Sequence, residues 1–175
     1  PGAGQLTAVS VRREIWVASP DNQIISKVDA DENESLDPWG GFGRVRPTHE
    51  FVYRRRTSGT NEARLGIVSS GAFVWILGTG NTISMFDSSS LDVQHTRTMA
   101  GVPELLAKGF GRVWVLGLGE VVAINTRSLA VDRRIPTGDV CSNGTAVGEG
   151  AVWVSNPCDG SVLKIDPRSG ATTRI

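Results

Sequence analysis

Val113-Trp114-Val115-Leu116 is apolar at four consecutive positions and runs straight into a glycine-rich turn, Gly117-Leu118-Gly119-Glu120. A short apolar run closed by glycines reads as a strand buried on both faces. The setting recurs in Glu14-Ile15-Trp16-Val17-Ala18, Phe73-Val74-Trp75-Ile76-Leu77 and Ala151-Val152-Trp153-Val154-Ser155. Trp75, Trp114 and Trp153 are spaced by 39 residues twice over, whereas Trp16 and Trp75 are 59 apart, so the first unit carries an insertion of the difference, about 31–50.

Outward from each Trp strand the units stay in phase. The turns that follow are Ser19-Pro20-Asp21-Asn22, Gly78-Thr79-Gly80-Asn81, Gly117-Leu118-Gly119-Glu120 and Asn156-Pro157-Cys158-Asp159-Gly160. Next come short strands ending in Asp or Asn: Ile25–Asp29, Ile83–Asp87, Val121–Asn125 and Val162–Asp166. A terminal Asp or Asn suits a turn, because its side chain can accept from the backbone two residues on. A further strand, polar and rich in Arg, is expected after each turn, at Val52–Arg55, Val93–Thr96, Val131–Arg134 and Thr172–Ile175. Segments of small residues, such as Thr7–Ser10 and Thr145–Gly150, precede the Trp strands and complete four strands per unit.

A unit of this length with four antiparallel strands is the blade of a β-propeller, which buries its faces only by stacking on neighbours. The expected fold is therefore all-β: a single domain over 1–175, with blades at about 6–60, 64–101, 102–141 and 142–175. A β-sandwich also has many short strands, but it does not require the recurrence at 39 residues. The one stretch that reads as a possible helical turn is Pro103–Ala107. Four blades make a tight ring, so the chain is expected to be part of a larger ring or half of an eight-bladed homodimer.

The unit from Ala146 through Gly150, Trp153 and Asn156 to Gly160-Ser161-Val162-Leu163-Lys164-Ile165-Asp166-Pro167 resembles the repeat of the YVTN/NHL/streptogramin-lyase-like propellers. The likeness is strongest in the third and fourth units and weakest over 30–65. It implies a propeller, and it is specific for fold and poor for function. Such repeats occur in extracytoplasmic sensor portions of bacterial membrane proteins, in secreted binding proteins and in a few lyases. The lyases imply His and Glu side chains around a metal. This chain has only His49 and His95, with no His-x-Glu or Glu-x-His pair. The resemblance therefore points to a non-catalytic binding or sensing module needing no cofactor or metal. The alternative is a lyase- or hydrolase-like enzyme whose active residues lie in blades outside this sequence.

Composition narrows the partners. Lys+Arg and Asp+Glu are both 18, for a net charge of zero, which argues against a nucleic-acid binder. At 39% hydrophobic and 21% charged the chain can pack a core, and no apolar run approaches the ~20 residues that span a bilayer. The chain begins at Pro1 without a leader, as expected of a processed or excised segment. Gly78-x-Gly80 and Gly117-x-Gly119 lie between strands, with no helix to receive phosphate. No Ser has a His at recognisable spacing, so nucleophilic catalysis has no support.

Three candidate sites remain. Cys141 leads into the last blade and Cys158 follows its Trp strand, which places both at the same end of a propeller. The alternatives are two free surface thiols or a disulfide. The disulfide is the expectation, closing a loop of about 17 residues worth ~3 kcal/mol and implying an extracytoplasmic location. The insertion and its flank gather Trp39, Arg44, Arg46, His49, Tyr53 and Arg54, residue types enriched at binding hot spots, against the plainer reading of aromatics packed on a blade flank. Asn22, Asn81, Glu120 and Asp159, in the turns after the Trp strands, are expected to ring one face, where turn chemistry alone also accounts for them. The expected partner is a protein or small molecule.

Overall fold

The computed structural model describes residues 7–12, 14–19, 24–29, 49–52, 66–77, 81–90, 92–117, 119–138 and 144–175, with backbone alone at 7, 14, 18–19, 24–29 and 49–52. These residues form four antiparallel sheets of four strands, each a simple meander. The first holds β1 (Thr7–Val11), β2 (Glu14–Ser19), β3 (Ile24–Asp29) and β4 (His49–Val52). The second holds β5 (Ile67–Ser70), β6 (Phe73–Leu77), β7 (Thr82–Asp87) and β8 (Val93–Thr98). The third holds β9 (Pro103–Gly109), β10 (Arg112–Gly117), β11 (Glu120–Asn125) and β12 (Val131–Pro136). The fourth holds β13 (Gly144–Gly148), β14 (Ala151–Asn156), β15 (Ser161–Ile165) and β16 (Thr172–Arg174).

Two expectations are corrected. Pro103–Ala107 is not helical but opens β9, with Leu105 and Leu106 set opposite Leu116 and Val115. Pro103 stands at the first strand position, where its missing N–H does least harm to the ladder. The fourth strand of the first sheet starts earlier than expected, at His49 rather than Val52, so His49 belongs to a strand rather than to the insertion; Tyr53, Arg54 and Arg55 lie outside the described residues. The register sets Phe51 and Val52 opposite Ile25 and Ile24.

The four sheets superpose by register. Trp16, Trp75, Trp114 and Trp153 face Lys27, Met85, Ala123 and Lys164 on the third strand of their own sheets. Side chains alternate along a strand, so the residues flanking each Trp point to the opposite face. The two faces have fixed roles. Trp16 packs with Ile67, Val74, Ile76 and Phe86 of the second sheet. Trp75 packs with Val113, Val115, Val122 and Ile124 of the third, and Trp114 with Val152, Val154, Leu163 and Ile165 of the fourth. Each of the first three sheets thus sets its indole against the aliphatic face of the next. Burying one indole is worth roughly 4–6 kcal/mol by area, as an upper estimate.

The first strands form the inner edge. β1 packs on β5, β5 on β9, and β9 on β13. Among the described residues β1 and β13 do not pack in this way, so the four sheets form an arc. Outer-strand arginines tie neighbours together. Arg97 Nη2 donates to the Leu129 carbonyl at 2.7 Å, and Arg133 donates to the carbonyls of Ser169 at 2.7 Å and Arg168 at 2.8 Å.

Candidate functional site

At one end of the sheets lie the turns between second and third strands. Asn81 Nδ2 donates to the Met99 carbonyl at 2.7 Å, and the Met99 N–H returns a bond to the Asn81 carbonyl at 2.6 Å. Glu120 accepts from Arg134 Nη1 at 2.7 Å. Asp159 accepts from the Ser161 hydroxyl and, at 2.9 Å, the Ser161 N–H, and it pairs with Arg174. The Ser161 hydroxyl and N–H, with Arg174, hold the Asp159 carboxyl below its ordinary value. All three residues are thus engaged within their own sheets, each reaching the fourth strand or the residue just after it. Among the described residues no two of them share a partner. Cys158 sits exposed in the last of these turns and is not a free thiol. Asn22, Trp39, Arg44, Arg46, Tyr53, Arg54 and Cys141 lie outside the described residues, and His49 is placed by its backbone alone.

The opposite end is built from two kinds of turn. In the second, third and fourth sheets an Asp or Asn at the end of the third strand, or just after it, caps the next turn through its side chain. Asp87 accepts from the N–H groups of Ser89 and Ser90, Asn125 from Arg127 and Ser128, and Asp166 from Arg168 and Ser169. Bonds from the Ser89 side chain, then from the Ser89 and Ser90 N–H groups, lower the pKa of Asp87; the Ser169 backbone and side chain and the Arg168 N–H do the same for Asp166. First and second strands are joined by two-residue hairpins. In the third and fourth sheets both loop residues are left-handed: Phe110 (φ 55) with Gly111 (φ 71), and Glu149 (φ 50) with Gly150 (φ 74). This is the tight turn that suits the twist of a hairpin and favours Asn or Gly at both positions.

Phe110 is the exception in that set. Its ring is bulky for a left-handed backbone and is 45% exposed. It lines a groove of about 480 Å³ between the third and fourth sheets, together with Arg112, Gly150, Asp166, Pro167 and Arg168. Arg112 Nε donates to Asp132 at 2.8 Å, its Nη1 makes long contacts to the carbonyls of Phe110 and Pro167 (3.4 and 3.5 Å), and its guanidinium lies 6.0 Å from the Trp114 ring centroid. The guanidinium is thereby held in one orientation at the groove wall. This groove is not among the three candidate sites legible in the sequence. Its signal was Gly109-Phe110-Gly111-Arg112, an aromatic placed where the hairpin asks for Asn or Gly. Among the described residues no three His, Cys, Asp or Glu side chains converge, and His95 lies on the outer strand β8.

No protein-family model matches the chain, and no curated protein matches it. Solved structures do. BamB from Moraxella catarrhalis superposes with a TM-score of 0.65 at 14% identity, over 96% of this chain and 50% of that one. The WD40 repeats of RRP9 give 0.69 at 12%, over 100% and 52%. Dihydro-heme d1 dehydrogenase NirN in complex with DHE gives 0.63 at 17%, over 93% and 34%. At such identities the likeness shows the fold alone. With four stacked four-stranded sheets of equivalent register, the chain is a β-propeller repeat protein, and it spans half or less of the length of most of these neighbours.

Proposed function

We propose that these four blades belong to a larger, extracytoplasmic propeller that binds a protein segment or a small ligand and catalyses nothing itself. The observation that carries this reading is the groove between the third and fourth blades, where an exposed aromatic in a left-handed turn stands beside an oriented guanidinium. Backbone strain held at an exposed aromatic is a marker of function, and aromatic and Arg side chains dominate binding hot spots. A sheet scaffold supplies the rigidity that loop-borne recognition needs. The likeness of the fourth unit to the YVTN/NHL/streptogramin-lyase-like repeat supports a binding or sensing role of this kind.

The location rests on sulfur chemistry. Cys158 is not a free thiol, and Cys141 is the only other cysteine in the sequence. A Cys141–Cys158 disulfide persists in an oxidising compartment, outside the cytoplasm. The insertion residues Trp39, Arg44, Arg46, His49, Tyr53 and Arg54 form the second contact region of this proposal.

Amide and methyl NMR shifts of the labelled chain, titrated with aromatic and carboxylate fragments and short peptides, test the binding reading. Shifts should cluster at Phe110, Arg112 and Arg168 and vanish in Phe110→Ala. Shifts that map elsewhere, or survive that change, count against it. Intact mass after alkylation, with and without reduction, tests the disulfide: two added groups without reductant would contradict it.

A further inference from the structure

The two ends of the arc are complementary. At each of the three internal joints the indole face of one blade is covered by the aliphatic face of the next. Trp16, Trp75 and Trp114 are consequently 0%, 2% and 1% exposed. Trp153, at the same register position in the fourth blade, has no following blade on its face and is only half-buried. Val162 repeats the contrast: its equivalents Ile83 and Val121 are 1% exposed, while Val162 is 37% exposed. At the other end, Ile15 occupies the place of Val74, Val113 and Val152, all 0% exposed, yet it is 38% exposed. Val17, two residues on, is likewise uncovered in part.

The fourth blade therefore ends in an indole without its aliphatic partner, and the first blade begins with an aliphatic face without its indole. Lys164, whose Nζ lies 5.4 Å from the Trp153 ring centroid, is no obstacle to docking. Trp16 has a lysine, Lys27, at the matching register position and is fully covered. Gly148 carries the same message. Its equivalent Gly109 has Val147 of the next blade so close that a Cβ would meet Cγ1 at 2.2 Å, whereas nothing lies within 4 Å of a Cβ at Gly148.

We propose that the Trp153 face of one chain docks on the Ile15–Val17 face of a second copy, and the converse, so that two arcs close head to tail into an eight-bladed ring. This rests on the reading of the four blades as part of a larger ring and names the partner that completes it. Both joints reuse the packing rule of the three internal ones. A head-to-tail contact that closes after two copies leaves no open end, and eight blades is within the range of propellers.

Sedimentation equilibrium of the 175-residue chain should give twice its mass of 18.7 kDa. Ile15→Asp and Trp153→Arg, both at surfaces of the single arc, should each stay folded by near-ultraviolet circular dichroism. Each should weaken association roughly 30-fold or more, as removal of an interface anchor does. Mixing the two variants should restore the doubled mass, because one joint then has an intact indole face and an intact aliphatic face. A dimer that survives either change, or that is not restored on mixing, overturns the proposal. A monomeric wild-type chain also overturns it, and acrylamide quenching then says how far the failure reaches. If the Trp153 contribution, taken as the difference from Trp153→Phe, is open to quencher, the larger-ring reading stands with another occupant. If it is protected, the arc closes on itself and that reading falls too.

Discussion

Asp87, Asn125 and Asp166 do the same work in three successive blades, each capping its turn through a side-chain oxygen. Only the two aspartates titrate, and their turn bonds lower both below the ordinary value of 3.8. A lowered carboxylate contributes stability that is fully present above 3.8 and is lost as pH falls through the lower folded value. Asn125 shows that an amide holds the turn without a charge. The double variant Asp87→Asn, Asp166→Asn should therefore be close to wild type at neutral pH and lose less stability on acidification. Urea midpoints followed down through the carboxylate range would show this, and an unchanged acid limb would refute it. Phe110 presents the opposite case, a residue at odds with its turn. Phe110→Asn relieves a left-handed bulky residue and should raise stability by about 1 kcal/mol in urea denaturation. The same change should abolish ligand shifts in the groove, so the two readouts move in opposite directions if the strain is kept for binding.

Among elements, the inner strands set the tightest tolerance. Gly109 ends β9 against Val147 of β13, and Gly109→Ala drives a methyl into that side chain, an overpacking that should cost about 1–3 kcal/mol. Gly148→Ala, at the equivalent position of β13, should be neutral or slightly stabilising in the single arc, because nothing faces it. Thermal melts of the two variants at low concentration would separate them, and equal losses would show that strand propensity rather than blade contact decides. The Trp strands and the Asp- or Asn-ended third strands were legible in the sequence, since local pattern and burial agree there. Pro103–Ala107 was not, because a proline followed by Glu-Leu-Leu-Ala has helical character on its own and becomes a strand only by pairing with Val115 and Leu116. The early start of the fourth strand of the first sheet was missed for a similar reason: its register is set against β3, which the sequence between Asp29 and His49 does not announce. In the turns, Asn81, Glu120 and Asp159 were visible as turn residues. Their partners Met99, Arg134 and Arg174 were not, since those bonds depend on how the outer strand returns. The groove at Phe110 escaped because it lies between two blades and belongs to neither repeat.

Across the whole molecule the blades meet only their neighbours, so stability is expected to divide by joint rather than to spread evenly. The third joint is the clearest place to test this. Trp114 packs with four aliphatic residues of the fourth blade, and its Nε1 donates to the Gly109 carbonyl at 3.1 Å. Trp114→Ala removes that anchor and should cost about 3–5 kcal/mol locally. The fourth blade would retain the Arg133 bonds to Ser169 and Arg168, which are exposed and too weak to hold a sheet that cannot bury its own faces. Hydrogen exchange should then accelerate over 144–174 and over β12, while β2, β6 and β7 keep their protection through the first and second joints, which the change does not touch. Uniform loss of protection over all four blades would instead mean a single cooperative unit, and the joint-by-joint account would fail. The same experiment on wild-type chain carries a second contrast. β6 and β10 are covered on both faces by neighbouring sheets, whereas β2 and β14 each have one face left open by the arc, so the two middle strands should exchange most slowly at concentrations where the chain is alone. If two arcs close the ring as proposed, raising the concentration should bring β2 and β14 towards the rate of β6 and β10.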